Sequence, residues 1–310
     1  MGLRLCCTLG PRLGCLSGAA CKLRRIVAHT EAELAIRHTI NAVAFGPQAS
    51  ASAVIEAFGP GEDFGLVLPT WTLDNEPGGR DAAIARLRGA GRPIASMLQA
   101  SWFTLDQPER WTAEQELLIQ AVRSASAVGA PFLYGTTGPA GRLDFDSMTA
   151  ALDRALTPVR AVAEDCGVTL LLESTNPLRR SLSAVFSFRD LVDLCAATRT
   201  GLCVDLTAVA LDRDIAADLA PRARDIPVVQ VGDLMPDTLA VGQRAVPGDG
   251  DLPLADLIAA LVSGGFDGVL DLEAFGPRID AEGAGPAMAR GHRAMLDLLD
   301  QAGGQAAAAS

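Results

Sequence analysis

Short apolar runs alternate with longer amphipathic stretches from His38 to the end of the chain. The runs are Thr39–Phe45, Phe64–Trp71, Pro93–Phe103, Pro131–Gly135, Val168–Glu173, Gly201–Asp205, Pro227–Asp233 and Gly268–Phe275. Several are continuously apolar rather than alternating, which reads as a strand buried on both faces, as in a parallel sheet. Between them lie Ala51–Phe58, Asp81–Gly89, Thr112–Val128, Phe145–Asp165, Phe188–Thr198, Ile215–Ala223, Leu254–Val262 and Gly285–Gln301, which read as helices. The strand starts are spaced by 25 to 41 residues, room enough for one βα unit each. Eight units predict an α/β chain folded as a single-domain (β/α)₈ TIM barrel. An open doubly wound sheet alternates in the same way, but no glycine fingerprint follows an early strand here.

Local signals agree with this reading. Asp144 or Asp146 can cap the long fourth helix, and Ser187 the helix starting at Phe188. Gly167, Gly201 and Gly268 each precede a strand, where a left-handed residue is expected. Pro227 opens its strand, where a missing N–H is tolerated.

Composition narrows the class. The 310 residues are 49% hydrophobic and 20% charged, with a formal net charge of −11. That acidity argues against nucleic-acid or anionic-membrane surfaces, and no apolar stretch reaches transmembrane length. Three His exclude a His-rich metal centre. Seven Cys without zinc-type spacing suit a reduced, cytoplasmic protein. Residues 1–36 are basic and Cys-containing, unlike the rest, and are expected to be a disordered or non-native extension. The barrel is expected over 37–303, with a disordered tail at 304–310.

In the second half, Val168–Leu172 leads into Glu173, Gly201–Val204 into Asp205, Pro227–Val229 into Gln230 and Gly268–Leu272 into Glu273, each a side chain with a hard oxygen donor. At the C-terminal ends of neighbouring barrel strands these converge on one mouth. Three carboxylates and one amide suit a divalent ion such as Mg²⁺, Mn²⁺ or Co²⁺. For any one of them alone, a helix cap or a salt-bridge partner is the commoner role.

The segments GVTLLLESTNPLRR, GLCVDL, VVQVGD, RAVPGDGDLPL and GFDGVLDLEAF, in this order, resemble the xylose-isomerase-like TIM barrels. That superfamily includes ketose 3-epimerases, hydroxypyruvate isomerase, inosose dehydratase, dehydroshikimate dehydratase and endonuclease IV. The resemblance covers residues 93–300 well and 38–92 weakly. It implies that Glu173, Asp205, Gln230 and Glu273 hold the metal. It also implies that Glu173 and Glu273 exchange a proton on opposite faces of one carbon, through a metal-bound enediolate. One departure is Ala208, where many relatives carry a His three positions after the strand-six Asp. Its absence argues against DNA repair and weakens a dehydroshikimate-type reaction, whereas Gln230 in place of His points back toward the dehydratases.

Other polar groups belong to the same expected mouth. Arg244 precedes the Pro247–Asp251 loop and suits a carboxylate, phosphate or hydroxyl. Asp233 is expected to bind a hydroxyl or orient Arg244, and Arg179 with Arg180 to reach a substrate anion. Trp102 and Phe103 offer an apolar wall or core packing, Tyr134 is undecided, His38 is expected in the core and His292 on the surface. The first expectation is therefore a metal-dependent isomerase or epimerase of a sugar or other small polyhydroxylated keto compound. A dehydratase or lyase using the same enolate is the alternative, and a non-catalytic binding barrel the third. A homo-oligomer is compatible with all three.

Overall fold

The computed structural model describes residues 37–58, 63–235 and 243–309. The expected N-terminal extension lies outside them. Eight parallel strands close into a barrel: β1 Arg37–Asn41, β2 Gly65–Pro69, β3 Ile94–Leu98, β4 Phe132–Gly135, β5 Thr169–Glu173, β6 Gly201–Asp205, β7 Val228–Val231 and β8 Val269–Leu272. Closure comes from β1 pairing in parallel with β8, Arg37 to Ile40 against Val269 to Leu272. The surrounding helices are α1 Ala51–Ala57, α2 Gly79–Ala90, α3 Trp111–Val128, α4 Phe145–Cys166, α5 Phe188–Thr198, α6 Ile215–Leu219, α7 Leu254–Ser263 and α8 Ala284–Ala309.

Five strands, β1, β2, β3, β7 and β8, stop earlier than the apolar pattern predicts, and at three of them the cause is visible. After β1, Asn41 caps a one-turn 3₁₀ helix, Ala42–Phe45, by accepting from the Val43 N–H at 3.1 Å. After β3, Ser101 takes a positive φ of 50° and turns the chain away. After β7, Asp233–Leu234 leaves the barrel and pairs antiparallel with Arg244–Ala245. At the other end, α8 continues through residues 304–309 in place of the predicted tail, consistent with the high helix propensity of its terminal alanines.

The turn before each strand refines the glycine expectation. Gly167 does cap α4 in the left-handed region, at φ 68°. Before β6 that conformation falls to Arg199 (φ 56°), and before β8 to Gly265 (φ 78°). Gly201 and Gly268 are there for close approach instead. A Cβ would stand 2.5 Å from Leu171 Cδ2 at the first and 2.6 Å from the Pro227 carbonyl oxygen at the second. Asp144 and Ser187 cap α4 and α5 through the N–H groups of Ser147 and Asp190.

Side chains alternate across each strand, so the barrel interior is filled in layers. Val67, Tyr134, Leu171, Cys203, Val228 and Val269 form an apolar plug. Two residues further along their strands, Glu173, Asp205, Gln230 and Asp271 share that inward face, and all four are buried. The outward faces pack against the helices in the larger core.

Candidate active site

The buried polar layer begins on β1 and β8. Thr39 Oγ1 donates to Asp271 Oδ1 at 2.7 Å, and Asn41 Nδ2 donates to Asp271 Oδ2 at 2.8 Å. Asn41 also donates to the Tyr134 hydroxyl oxygen at 2.7 Å. Gln230 Nε2 approaches that oxygen at 3.3 Å and donates to Glu273 Oε2. Tyr134 thus accepts from two amides, and its own proton finds no acceptor among the described residues. Gln230 Oε1 is buried with no hydrogen-bond partner among the described residues.

Above this layer stands a guanidinium. Arg244 Nη2 lies 2.5 Å from Asp205 Oδ2 and Arg244 Nη1 lies 3.4 Å from Glu273 Oε1. Its backbone N–H is anchored on the Phe275 carbonyl at 3.0 Å, and its charge sits 4.8 Å from the centre of the Phe275 ring. Asp205 Oδ1 accepts from the N–H and hydroxyl of Thr207, so this carboxylate is both a cap and an ion-pair partner. Glu173, 7% exposed, makes no hydrogen bond or ion pair with the described residues.

Electrostatics follow from this crowding. Burial, then repulsion from Glu273 and Asp205, holds the Glu173 carboxyl well above its ordinary range. Burial pushes Glu273 up to about 8 against the pull of Arg244. Asp271 rises to about 6, burial outweighing the bonds from Thr39 and Asn41. Burial opposes the charge on Arg244, but Asp205 and then Glu273 outweigh it and raise its pKa. Burial raises the Tyr134 phenol further, with Glu273 adding to it.

In kind the donor set fits a divalent ion: every donor is a hard oxygen, and the orphaned Gln230 Oε1 is an acceptor open to a cation or a proton donor. In this arrangement Arg244 already bridges Asp205 and Glu273 as the resident cation. Among the described residues no three His, Cys, Asp or Glu groups gather at metal-binding spacing.

The remaining candidates fall in different places. Both Asp233 oxygens are taken by backbone N–H groups: Leu234 and Leu252 on Oδ1, Gly248 and Gly250 on Oδ2, at 2.9 to 3.1 Å. It holds the loop that follows Arg244 and has no oxygen left over for a substrate hydroxyl. Arg179 is half-buried near the mouth, 5.6 Å from the Phe275 ring centre. Arg180 is exposed and lines a separate groove with Asp144 and Phe145. Trp102 is no wall of the mouth. Tyr134 points into the barrel, so Gly135 faces the helices, and Trp102 Nε1 lies 2.3 Å from where a Gly135 Cβ would be.

Trp71 and Phe132 are the aromatics packed against the interior cluster, and the Trp71 indole N–H donates to the Gly46 carbonyl at 3.3 Å. His38 faces away from the barrel interior, with Nδ1 3.2 Å from His292 Nε2. His292, expected on the surface, is only 9% exposed because its helix face packs on β1 and Phe64. The sequence reading passed over Thr39, Asn41 and Asp271. Asp271 sits two residues before Glu273 on the same strand face, the one signal that pointed to it.

The profile of the xylose isomerase-like TIM barrel family matches residues 58–299. No curated protein matches the sequence. Solved structures do resemble the fold. A xylose isomerase domain protein from Alicyclobacillus acidocaldarius superposes with a TM-score of 0.66 at 21% identity, covering 86% of this chain and 99% of that one. The IolI protein with a bound zinc atom gives 0.72 at 16% identity, with coverage of 86% and 99%. D-psicose 3-epimerase with D-tagatose, from Clostridium cellulolyticum H10, gives 0.68 at 17%, with coverage of 86% and 98%. At these identities the likeness is one of fold. Among the described residues no helix is long and apolar enough to cross a membrane.

Proposed function

Because the chain belongs to the xylose isomerase-like TIM barrel family, we propose that it is a divalent-metal-dependent isomerase or epimerase of a small polyhydroxy keto compound. The observation that carries this reading is Glu173, a buried carboxyl with no side-chain partner among the described residues, held above its ordinary range by burial and then by Glu273. Burial and repulsion make such a pair hold protons more tightly than free carboxyls do, which suits a general acid and base. One takes the proton from the carbon beside the carbonyl, and the other returns it. Returned to the opposite face the proton inverts the centre; returned to the neighbouring carbon it moves the carbonyl.

Glu173, Asp205, Gln230 and Glu273 would hold the ion, which when bound supplies positive charge against the developing enediolate. Asn41 and Gln230 orient Tyr134 and Glu273 from below, and Trp71 covers one side of the mouth. A second reading, a dehydratase, is favoured by Tyr134. Its neutral phenol carries a proton with no acceptor among the described residues, and that proton suits a departing hydroxyl.

Elemental analysis after loading with Mn²⁺, Mg²⁺ or Co²⁺ and removal of excess tests the metal. One ion per chain is expected, falling sharply in Asp205→Ala. Incubation with a panel of ketoses and cyclitols in D₂O tests the chemistry. Deuterium at carbon without loss of water supports the isomerase, and loss of water supports the dehydratase. No bound metal and no exchange with any compound would leave a binding barrel.

A further inference from the structure

The two guanidiniums at the mouth are not equivalent. Arg244 is saturated by Asp205 and Glu273. The Arg179 guanidinium makes no hydrogen bond or ion pair with the described residues, although the residue is half-buried and its charge lies over the same Phe275 ring as that of Arg244. Burial and then the like charge of Arg244 depress the pKa of Arg179, with the three carboxylates only partly compensating. A half-buried guanidinium gives up hydration that nothing in this arrangement fully returns.

Its backbone is fixed nonetheless. Asn176 Oδ1 caps the 3₁₀ turn Pro177–Arg179 by accepting from the Leu178 N–H at 2.9 Å. The Arg179 carbonyl accepts from Leu182 at 2.8 Å and Ser183 at 3.2 Å. The base of this loop is tied by the Thr175 N–H to the Val185 carbonyl at 3.3 Å. A pinned, unsatisfied, aromatic-backed arginine at a catalytic mouth is preorganised for an incoming anion, and its planar fork matches carboxylate and phosphate alike.

We propose that Arg179 and Phe275 form an anion subsite, so that the substrate is a polyhydroxy keto compound bearing a carboxylate or phosphate group rather than a neutral sugar. This rests on the isomerase reading for the keto compound, but the subsite is tested by binding alone. Titration calorimetry on the Mn²⁺-loaded and the EDTA-treated protein would compare D-fructose, D-fructose 6-phosphate and 5-keto-D-gluconate. At least one anion should bind roughly 10-fold to 100-fold more tightly than D-fructose, as a charge-assisted hydrogen bond to Arg implies. The stronger of the two identifies phosphate or carboxylate as the group recognised.

In Arg179→Gln that ratio should collapse to within a few-fold, while Arg179→Lys keeps part of it. Equal affinity for all three compounds overturns the subsite, and so does failure of both anions to bind at millimolar concentration. An anion preference untouched by Arg179→Gln also overturns it, because the metal or Arg244 would then be the receptor. Failure of the isomerase reading appears separately, as absent deuterium uptake in a protein that still prefers anions through Arg179.

Discussion

Arg244 carries the largest electrostatic duty of any single residue here. Its side chain is 11% exposed and its charge lies between Asp205 and Glu273, which are buried still deeper. Removing one partner of a buried ion pair typically costs roughly 3–5 kcal/mol, because the other charge is left unpaired. Arg244→Met should therefore lower the urea midpoint of the metal-free protein strongly, and Arg244→Lys, which keeps the charge, much less. An equal loss in both variants would mean that packing, not charge, explains the effect. The same carboxyls give the metal-free protein a pH dependence of its own. Folded Glu273 titrates at about 8 and Asp271 at about 6, against ordinary values of 4.5 and 3.8. Between those limits the folded state binds more protons than the unfolded one, so stability falls as pH rises from about 4 to about 8 and then levels. Thermal melts in EDTA should show that decline, and Glu173→Gln, Glu273→Gln and Asp271→Asn together should flatten it. A melting temperature that climbs across the window would refute the raised values.

At the level of elements, the loop after β7 is the part most visibly built for the site. Asp233 gathers four backbone N–H groups, and Arg290 on α8 clamps Asp249 with two bonds of 2.9 Å. Hydrogen bonds to a charged acceptor are the stronger kind, so Asp233→Ala should cost roughly 3 kcal/mol. Hydrogen exchange should accelerate at Gly248, Gly250 and Leu252 while β5 and β6 stay protected. Unchanged exchange there would dissociate Asp233 from the loop. Eight strands and eight helices could be read from apolar runs and helical stretches because both patterns are local. Residues at strand ends were legible for the same reason: a long apolar run that stops at Glu173, Asp205 or Glu273 marks its own boundary. Past the strand end the alternation is lost, so nothing local distinguished Trp102, turned outward, from Trp71, turned in. Thr39, Asn41 and Asp271 are not marked by local pattern, because polar residues within apolar strands reveal their role through partners 93 to 232 positions away. Nor could local pattern show that Arg244 would bridge two carboxylates, since that depends on how three separate strand ends meet.

For the molecule as a whole, all eight barrel units lie at or beyond Arg37. A chain beginning at Glu31 should accordingly melt at the same temperature as the full chain and take up the same metal. A large drop, followed by circular dichroism, would mean that the preceding residues contribute to the barrel. The seam between β1 and β8 also sets an order of events. β1 carries Thr39 and Asn41, and their acceptor Asp271 arrives more than 200 residues later. On the ribosome the first strand must therefore wait, with the Thr39 hydroxyl unpaired and one edge open, until nearly the whole chain has emerged. The polar floor beneath the site does not exist before that last strand docks. Catalytic competence and completion of the fold would then appear together, and a nascent chain stalled before β8 would be a seven-stranded open sheet without a floor to its site.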